Sequence, residues 1–85
     1  MNSEYNDVLY LQSIVAPLVT NTDAISITRT NDEMGILLTL QVAKDDMGKV
    51  IGKEGNNAKS IRTLINAFGM KNHIKVSVKI AEPTL

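Results

Sequence analysis

The stretch GKVIGKEGNNAKS (residues 48–60) of this 85-residue chain gathers three glycines and three lysines ahead of a helical pattern. That combination suits a phosphate. Glycine lets the main chain turn sharply and come close to a ligand, lysine supplies charge, and a helix N-terminus offers unpaired N–H groups. The spacing excludes the nucleotide-binding versions. A Walker A loop needs four residues between its glycines, followed by Gly-Lys-Ser/Thr. Here only Lys49, Val50 and Ile51 separate Gly48 from Gly52, and Glu54 stands where the Mg²⁺-binding hydroxyl belongs. The dinucleotide pattern G-x-G-x-x-G fails as well, since no glycine lies two before Gly52. A nucleic-acid backbone is the remaining source of phosphate.

Little else in the chain could do chemistry. Cysteine is absent and His73 is the single histidine, so there is no disulfide framework and no metal set. His73 reads as a surface turn residue. With no candidate nucleophile, base or metal cluster, the expectation is a non-enzyme that needs no cofactor. Net charge is zero, but its distribution is uneven. Between Lys44 and Lys79 stand eight bases against three acids, whereas from Met1 to Ala43 Arg29 stands alone against five acids. Such asymmetry between halves points to a polyanion on one side, although a solvated basic helix face and lysines on a strand give the same composition. No apolar run reaches the roughly 18 residues of a membrane span, and no signal-peptide pattern follows Met1. The expectation is a cytoplasmic protein without a membrane partner.

The elements that must position the glycine stretch follow from periodicity. Residues 3–19 carry apolar side chains at Val8, Leu11, Val15 and Leu18, an amphipathic helix with Ser3 as its N-cap and Glu4 and Asp7 near its positive end. Pro17 lacks the N–H that would bond to the Ser13 carbonyl, so this helix should end or kink near Ala16. Residues 24–30 and 35–43 alternate as two strands, joined by a polar turn from Asn31 to Gly35. Asp45 or Asp46 caps a short helix over residues 47–51, which the glycines interrupt at 52–55. A longer helix then places Ala58, Ile61, Leu64, Ile65 and Phe68 on one face and is capped by Gly69. A last strand over residues 73–81 points Ile74, Val76, Val78 and Ile80 inward, and Pro83 ends it.

With one apolar face per strand and one apolar stripe per helix, the economical solution is a single α+β domain over residues 1–85. It comprises an N-terminal helix and loop (1–23) and a sheet with the helix pair (24–81). Two layers result, in the order α-β-β-α-α-β, with the helices on one side of a three-stranded sheet and the last strand parallel to the strand before the helices.

Val50-Ile51-Gly52-Lys53-Glu54-Gly55, with Ala58, Ile61 and Leu64 beyond it, resembles the signature of a K-homology (KH) domain, in which a GxxG loop joins two helices. The element order matches the type II, bacterial form, and the resemblance covers nearly the whole chain. Length and the phrase GKVIGKEGNNAKSIRTLI are most similar to the KhpA-like family of small stand-alone KH proteins. The resemblance implies binding of single-stranded RNA, in a post-transcriptional regulator or RNA chaperone. It also implies pairing as a homodimer or with a KhpB-like protein, a larger chain that carries a KH domain.

The RNA-binding set expected on this reading is Lys49, Val50, Ile51, Gly52, Lys53, Glu54, Gly55, Asn56, Asn57, Ala58, Lys59 and Arg62. Gly52 and Gly55 let the backbone approach the sugar-phosphate strand, Lys53 adds charge at the tip, and Val50, Ile51 and Ala58 line a groove for unstacked bases. Lys75 and Lys79 are excluded, because they lie on the open sheet face. Tyr5, Tyr10 and Phe68 fall on helices, which argues against sheets that stack bases on aromatic rings. Glu54 cancels the charge of Lys53, so binding must rest on backbone N–H groups with Lys49, Lys59 and Arg62. The competing reading is an assembly module whose glycine loop is vestigial, the glycines making a mere helix-turn-helix corner.

Overall fold

A computed structural model describes residues 6–81 of the chain; the expectations on Ser3, Glu4, Tyr5 and Pro83 fall outside them. Helix α1 (Asn6–Val15) leads through a 3₁₀ turn at Ala16–Leu18 and a second at Thr22–Ala24 into strand β1 (Ser26–Asp32). Strand β2 (Gly35–Gln41), a 3₁₀ turn at Lys44–Asp46, helix α2 (Met47–Ile51), a 3₁₀ turn at Lys53–Gly55, helix α3 (Asn56–Lys71) and strand β3 (Val76–Ile80) complete the order. The α-helical ladder of α1 stops just before Pro17, where the missing N–H forces a tighter turn.

The sheet runs β1-β2-β3, with β1 antiparallel to β2 from Ser26↔Gln41 to Asp32↔Gly35 and β2 parallel to β3 from Ile36↔Val76 to Leu40↔Ile80. Side chains alternate across it. Ile36, Leu38 and Leu40 of β2 and Val76 and Val78 of β3 turn inward onto Leu11 and Val15 of α1, Val50 of α2, and Ile61 and Ile65 of α3. The helices therefore cover one face.

The structure departs from the sequence expectation in three respects. The first is the hairpin, whose turn shrinks to Glu33-Met34. The Asp32 carboxylate accepts the Met34 N–H at 2.8 Å, which closes the reversal locally and lets β1 run on through Asp32. Ala24, at the other end, belongs to a 3₁₀ turn and not to the strand.

The second departure is the end of α3. Gly69 was expected to cap the helix, yet α3 continues two residues further. The cap is His73, which adopts φ +62°, while its N–H donates to the Met70 carbonyl (3.2 Å) and the Ile74 N–H reaches back to the Gly69 carbonyl (2.9 Å). This is a Schellman arrangement with histidine in the left-handed position that glycine usually takes. Ile74 is spent on that turn, so β3 begins only at Val76 and Ile74 stays 41% exposed, contrary to the inward position expected for it. Gly69 serves packing instead: a Cβ there would stand 2.6 Å from the Ile74 carbonyl oxygen.

The third concerns which faces are buried. Ala58, Ile61, Ile65 and Gly69 form the buried stripe of α3, and Leu64, one position off it, is 41% exposed. Phe68 is half-buried and stacks on Tyr10 of α1, ring centroids 5.0 Å apart. On α1, Asp7 is buried and takes the Arg29 Nε–H on both carboxylate oxygens (3.1 and 3.2 Å), tying α1 to β1. Removing either partner would leave the other charge poorly compensated.

Candidate nucleic-acid interface

Gly52 takes φ +78°, ψ 175°, Glu54 φ +57° and Gly55 φ +77°, so the chain reverses between α2 and α3 within four residues. Gly52 is required twice over. Its φ is in the glycine region, and a Cβ would stand 2.7 Å from Asn57 Cγ. Asn57 lies so close because its side-chain amide donates to the Lys49 carbonyl at 2.8 Å, capping α2 from the first turn of α3. Gly55 is different: nothing lies within 4 Å of where its Cβ would be. It is the N-cap of α3; its own N–H donates to the Gly52 carbonyl at 3.1 Å and the Asn56 N–H to the Lys53 carbonyl, so the loop closes on itself and the 16-residue helix starts beside an uncrowded backbone. Lys53 and Glu54 are both exposed at the tip, and Asn56 is exposed at the first position of α3.

Beside this reversal lies an open groove of about 300 Å³, lined by Met47, Ile51, Gly55, Ala58, Lys59, Arg62 and Ile80. Five of these seven were expected from the sequence. Ile51 and Ala58 form the apolar floor with Met47 and Ile80, while Lys59 and Arg62 stand exposed on α3. Met47 and Ile80 were missed. Met47 shares a helix face with Ile51, four residues on, and Ile80 is the last inward residue of β3. Parallel pairing brings the end of β3 back beside the start of α3, so both could have been found from spacing and topology.

Two residues of the expected RNA-binding set are placed elsewhere. Val50 is completely buried in the core, because it faces the sheet from the middle of the short α2. Lys49 turns away toward the N-terminal loop. Its Nζ donates to Thr20 Oγ1 at 2.6 Å and lies 3.6 Å from Asp46 Oδ1. Asp46, 2% exposed, does not cap α2 with its side chain as expected. Its two oxygens instead accept the N–H groups of Thr20 and Asn21, each at 3.0 Å. Those bonds, followed by the Lys49 charge, hold the Asp46 carboxyl below its ordinary value of 3.8, against the upward pull of desolvation. The pair fastens the loop after α1 onto the start of the helix that carries Met47 and Ile51. Among the described residues no carboxylate forms an ion pair with Lys53, Lys59 or Arg62. No group of three metal-ligating side chains occurs among them either, and no helix is long and apolar enough to cross a membrane.

Residues 9–80 match the sequence model of the KhpA/KhpB KH domain. The chain belongs to this KH-domain family. It is 46% identical over 70 residues to the RNA-binding protein KhpA of Listeria monocytogenes, covering 82% of this chain and 92% of the relative. It is 46% identical over 67 residues to the protein of that name from Bacillus subtilis, covering 79% and 83%. A relative of the same name from Chlamydia caviae is 40% identical over 73 residues, covering 86% and 94%. The family match takes in the whole of the glycine reversal, the groove and the three-stranded sheet.

Proposed function

We propose that the chain binds single-stranded RNA without catalysis, as a type II KH module that clamps the sugar-phosphate backbone with the GxxG loop Gly52-Lys53-Glu54-Gly55. The observation that carries this reading is the conjunction at the start of α3. An unobstructed Gly55 at the positive end of α3 adjoins a groove with an apolar floor and only basic charged residues, Lys59 and Arg62. Phosphates would meet the positive end of α3 and Lys53, while unstacked bases would lie on Met47, Ile51, Ala58 and Ile80. The names of the relatives support RNA as the ligand. Gly52 and Asn57 shape the loop, and Lys49 and Asp46 hold α2 in place without reaching the ligand.

With Glu54 beside Lys53, a single module binds weakly. Two modules, in a homodimer or with a KhpB-like partner, would raise the effective affinity. A cytoplasmic post-transcriptional regulator or RNA chaperone is the role that fits such a module. The reading is tested by ultraviolet crosslinking to a mixed-sequence RNA, with the adducts mapped by mass spectrometry. Adducts at Lys53 and along residues 55–62 support the clamp. Adducts confined to other surfaces favour an assembly module, the reading to which the exposure of Leu9 (62%) and Met70 (77%) lends support.

A further inference from the structure

The groove beside the glycine reversal has two unlike walls. One is made by Ala58, Lys59 and Arg62 of α3 with Ile80 of β3, and α3 is seated in the core along its buried stripe from Ala58 to Gly69. The other is made by Met47 and Ile51 of α2, a helix of five residues with one buried side chain, Val50. Isolated helices of fewer than about 12 residues are not stable in water, so the position of this second wall is set by whatever ties α2 to its surroundings. The width of the groove follows from those ties.

The C-terminal end of α2 is tied to α3 by the Asn57 amide, which donates to the Lys49 carbonyl. The N-terminal end is tied to a distant part of the chain. Asp46 stands immediately before α2, buried, and its two oxygens accept the N–H groups of Thr20 and Asn21, which lie 26 and 25 residues away in sequence. Lys49, one turn further on, closes over this contact from α2 by donating to Thr20 Oγ1. None of Thr20, Asn21, Asp46 and Lys49 lines the groove. A carboxylate that takes two main-chain donors of one loop makes short, directional, charge-assisted bonds. The loop it grips lies between two 3₁₀ turns, so the same carboxylate orders the loop and anchors the helix.

We propose that Asp46 is a positioning residue for RNA: by joining the loop at Thr20 and Asn21 to the start of α2 it sets the width of the groove, and it makes that loop a remote control point for affinity. The inference rests on the RNA-binding reading above. It puts RNA and the latch in one equilibrium. If the latch strengthens RNA binding by some factor, RNA must strengthen the latch by the same factor. Electrostatics alone predicts the opposite sign. Asp46→Asn removes a negative charge beside Met47 and loosens the hold on Lys49, and both changes should tighten binding to a polyanion. Positioning predicts weaker binding, because only chains with α2 in place are competent.

The test titrates a mixed-sequence 10-nucleotide RNA into the full chain, wild type and Asp46→Asn, followed by NMR, which also reports whether the variant is folded. The variant is expected to bind at least about fivefold more weakly, the low end of ordinary coupling between sites. Its salt slope should stay that of wild type, because no phosphate contact is removed. In wild type, saturating RNA should slow hydrogen exchange of the Thr20 and Asn21 amides by a similar factor, beyond any slowing in strand β1. A folded variant that binds as tightly as wild type, or more tightly, would overturn the positioning role and leave the clamp standing. Thr20 and Asn21 amides that slow no more than those of β1 would overturn it too, since that pattern is general stabilisation by a ligand. A wild-type chain that binds no RNA would remove the RNA-binding reading itself, and the positioning role with it. Should the variant fail to fold, the exchange measurement on wild type decides alone.

Discussion

At the N-terminal end of α3, Gly55 takes φ +77° and meets nothing within 4 Å of a built Cβ; at the C-terminal end, Gly69 lies inside the helix and a Cβ would come within 2.6 Å of the Ile74 carbonyl. One glycine is needed for its conformation and leaves space in front of it. The other is needed for the space it does not fill. The left-handed residues next to them divide in the same way. Glu54 stands exposed on the tip of an open reversal, whereas His73 closes a hydrogen-bonded Schellman turn. The lesson is that a glycine-marked corner is a candidate site when its surroundings are empty, and a packing device when they are full.

The sharpest way to break this contrast is Gly69→Ala. The nearest atom is a backbone oxygen, which cannot swing aside, so overpacking should cost about 2–3 kcal/mol. Urea denaturation would register this as a lower midpoint, and an unchanged midpoint would mean that the corner is not closed. Gly55→Ala should cost less, about 1–2 kcal/mol for an L-residue held at positive φ. Its stronger effect should fall on RNA affinity, because the new methyl would stand where the proposed clamp brings the strand. A stable Gly55→Ala chain with full RNA affinity would separate Gly55 from the site.

His73→Gly tests the closed end from the opposite direction. Relief of left-handed strain, less the extra entropy of an unfolded glycine, should leave a gain of about 0.5–1 kcal/mol in stability, read as a higher denaturation midpoint. A loss instead would show that the imidazole makes contacts worth more than the strain.

The smallest effect is confined to acid pH. Asp46 has a lowered folded value, so its contribution is present above the ordinary value of 3.8 and lost as pH falls through the lowered one. Stability should therefore decline on the acid side below about pH 4, and Asp46→Asn should flatten that decline. An identical acid limb in the variant would mean that the bonds to Thr20 and Asn21 do not favour the charged form.

Much of this was legible in the sequence, for reasons that also mark where legibility ends. The break at Pro17 follows from a missing donor, a purely local fact. The alternation in β2 and the stripe of Ala58, Ile61 and Ile65 follow from periodicity, because burial on one face leaves a regular trace. The positions of Lys49, Asp46 and Asp7 were not legible, since their partners lie on other elements: Thr20 and Asn21 for the first two, Arg29 for the third. Gly69 was misassigned because a helix stop and a close approach of strand to helix use the same residue type. Within the candidate site, the glycine reversal was read from its motif. Ile80 escaped because it enters the groove only through the parallel return of β3.

The claim that the open end of α3 holds an RNA backbone is tested most directly by the double variant Lys53→Asp, Glu54→Asp. Both side chains are exposed, both glycines remain, and aspartate tolerates the left-handed position of Glu54 better than most residues. Circular dichroism should therefore show an intact fold, while two carboxylates without a lysine face the phosphates. The account predicts that binding to single-stranded RNA collapses, and that Glu54→Lys alone tightens it. The salt slope of Glu54→Lys should steepen by up to about 0.7 for the added phosphate contact. A folded double-Asp chain that binds RNA as wild type does would contradict the account and hand the glycine reversal to the assembly reading.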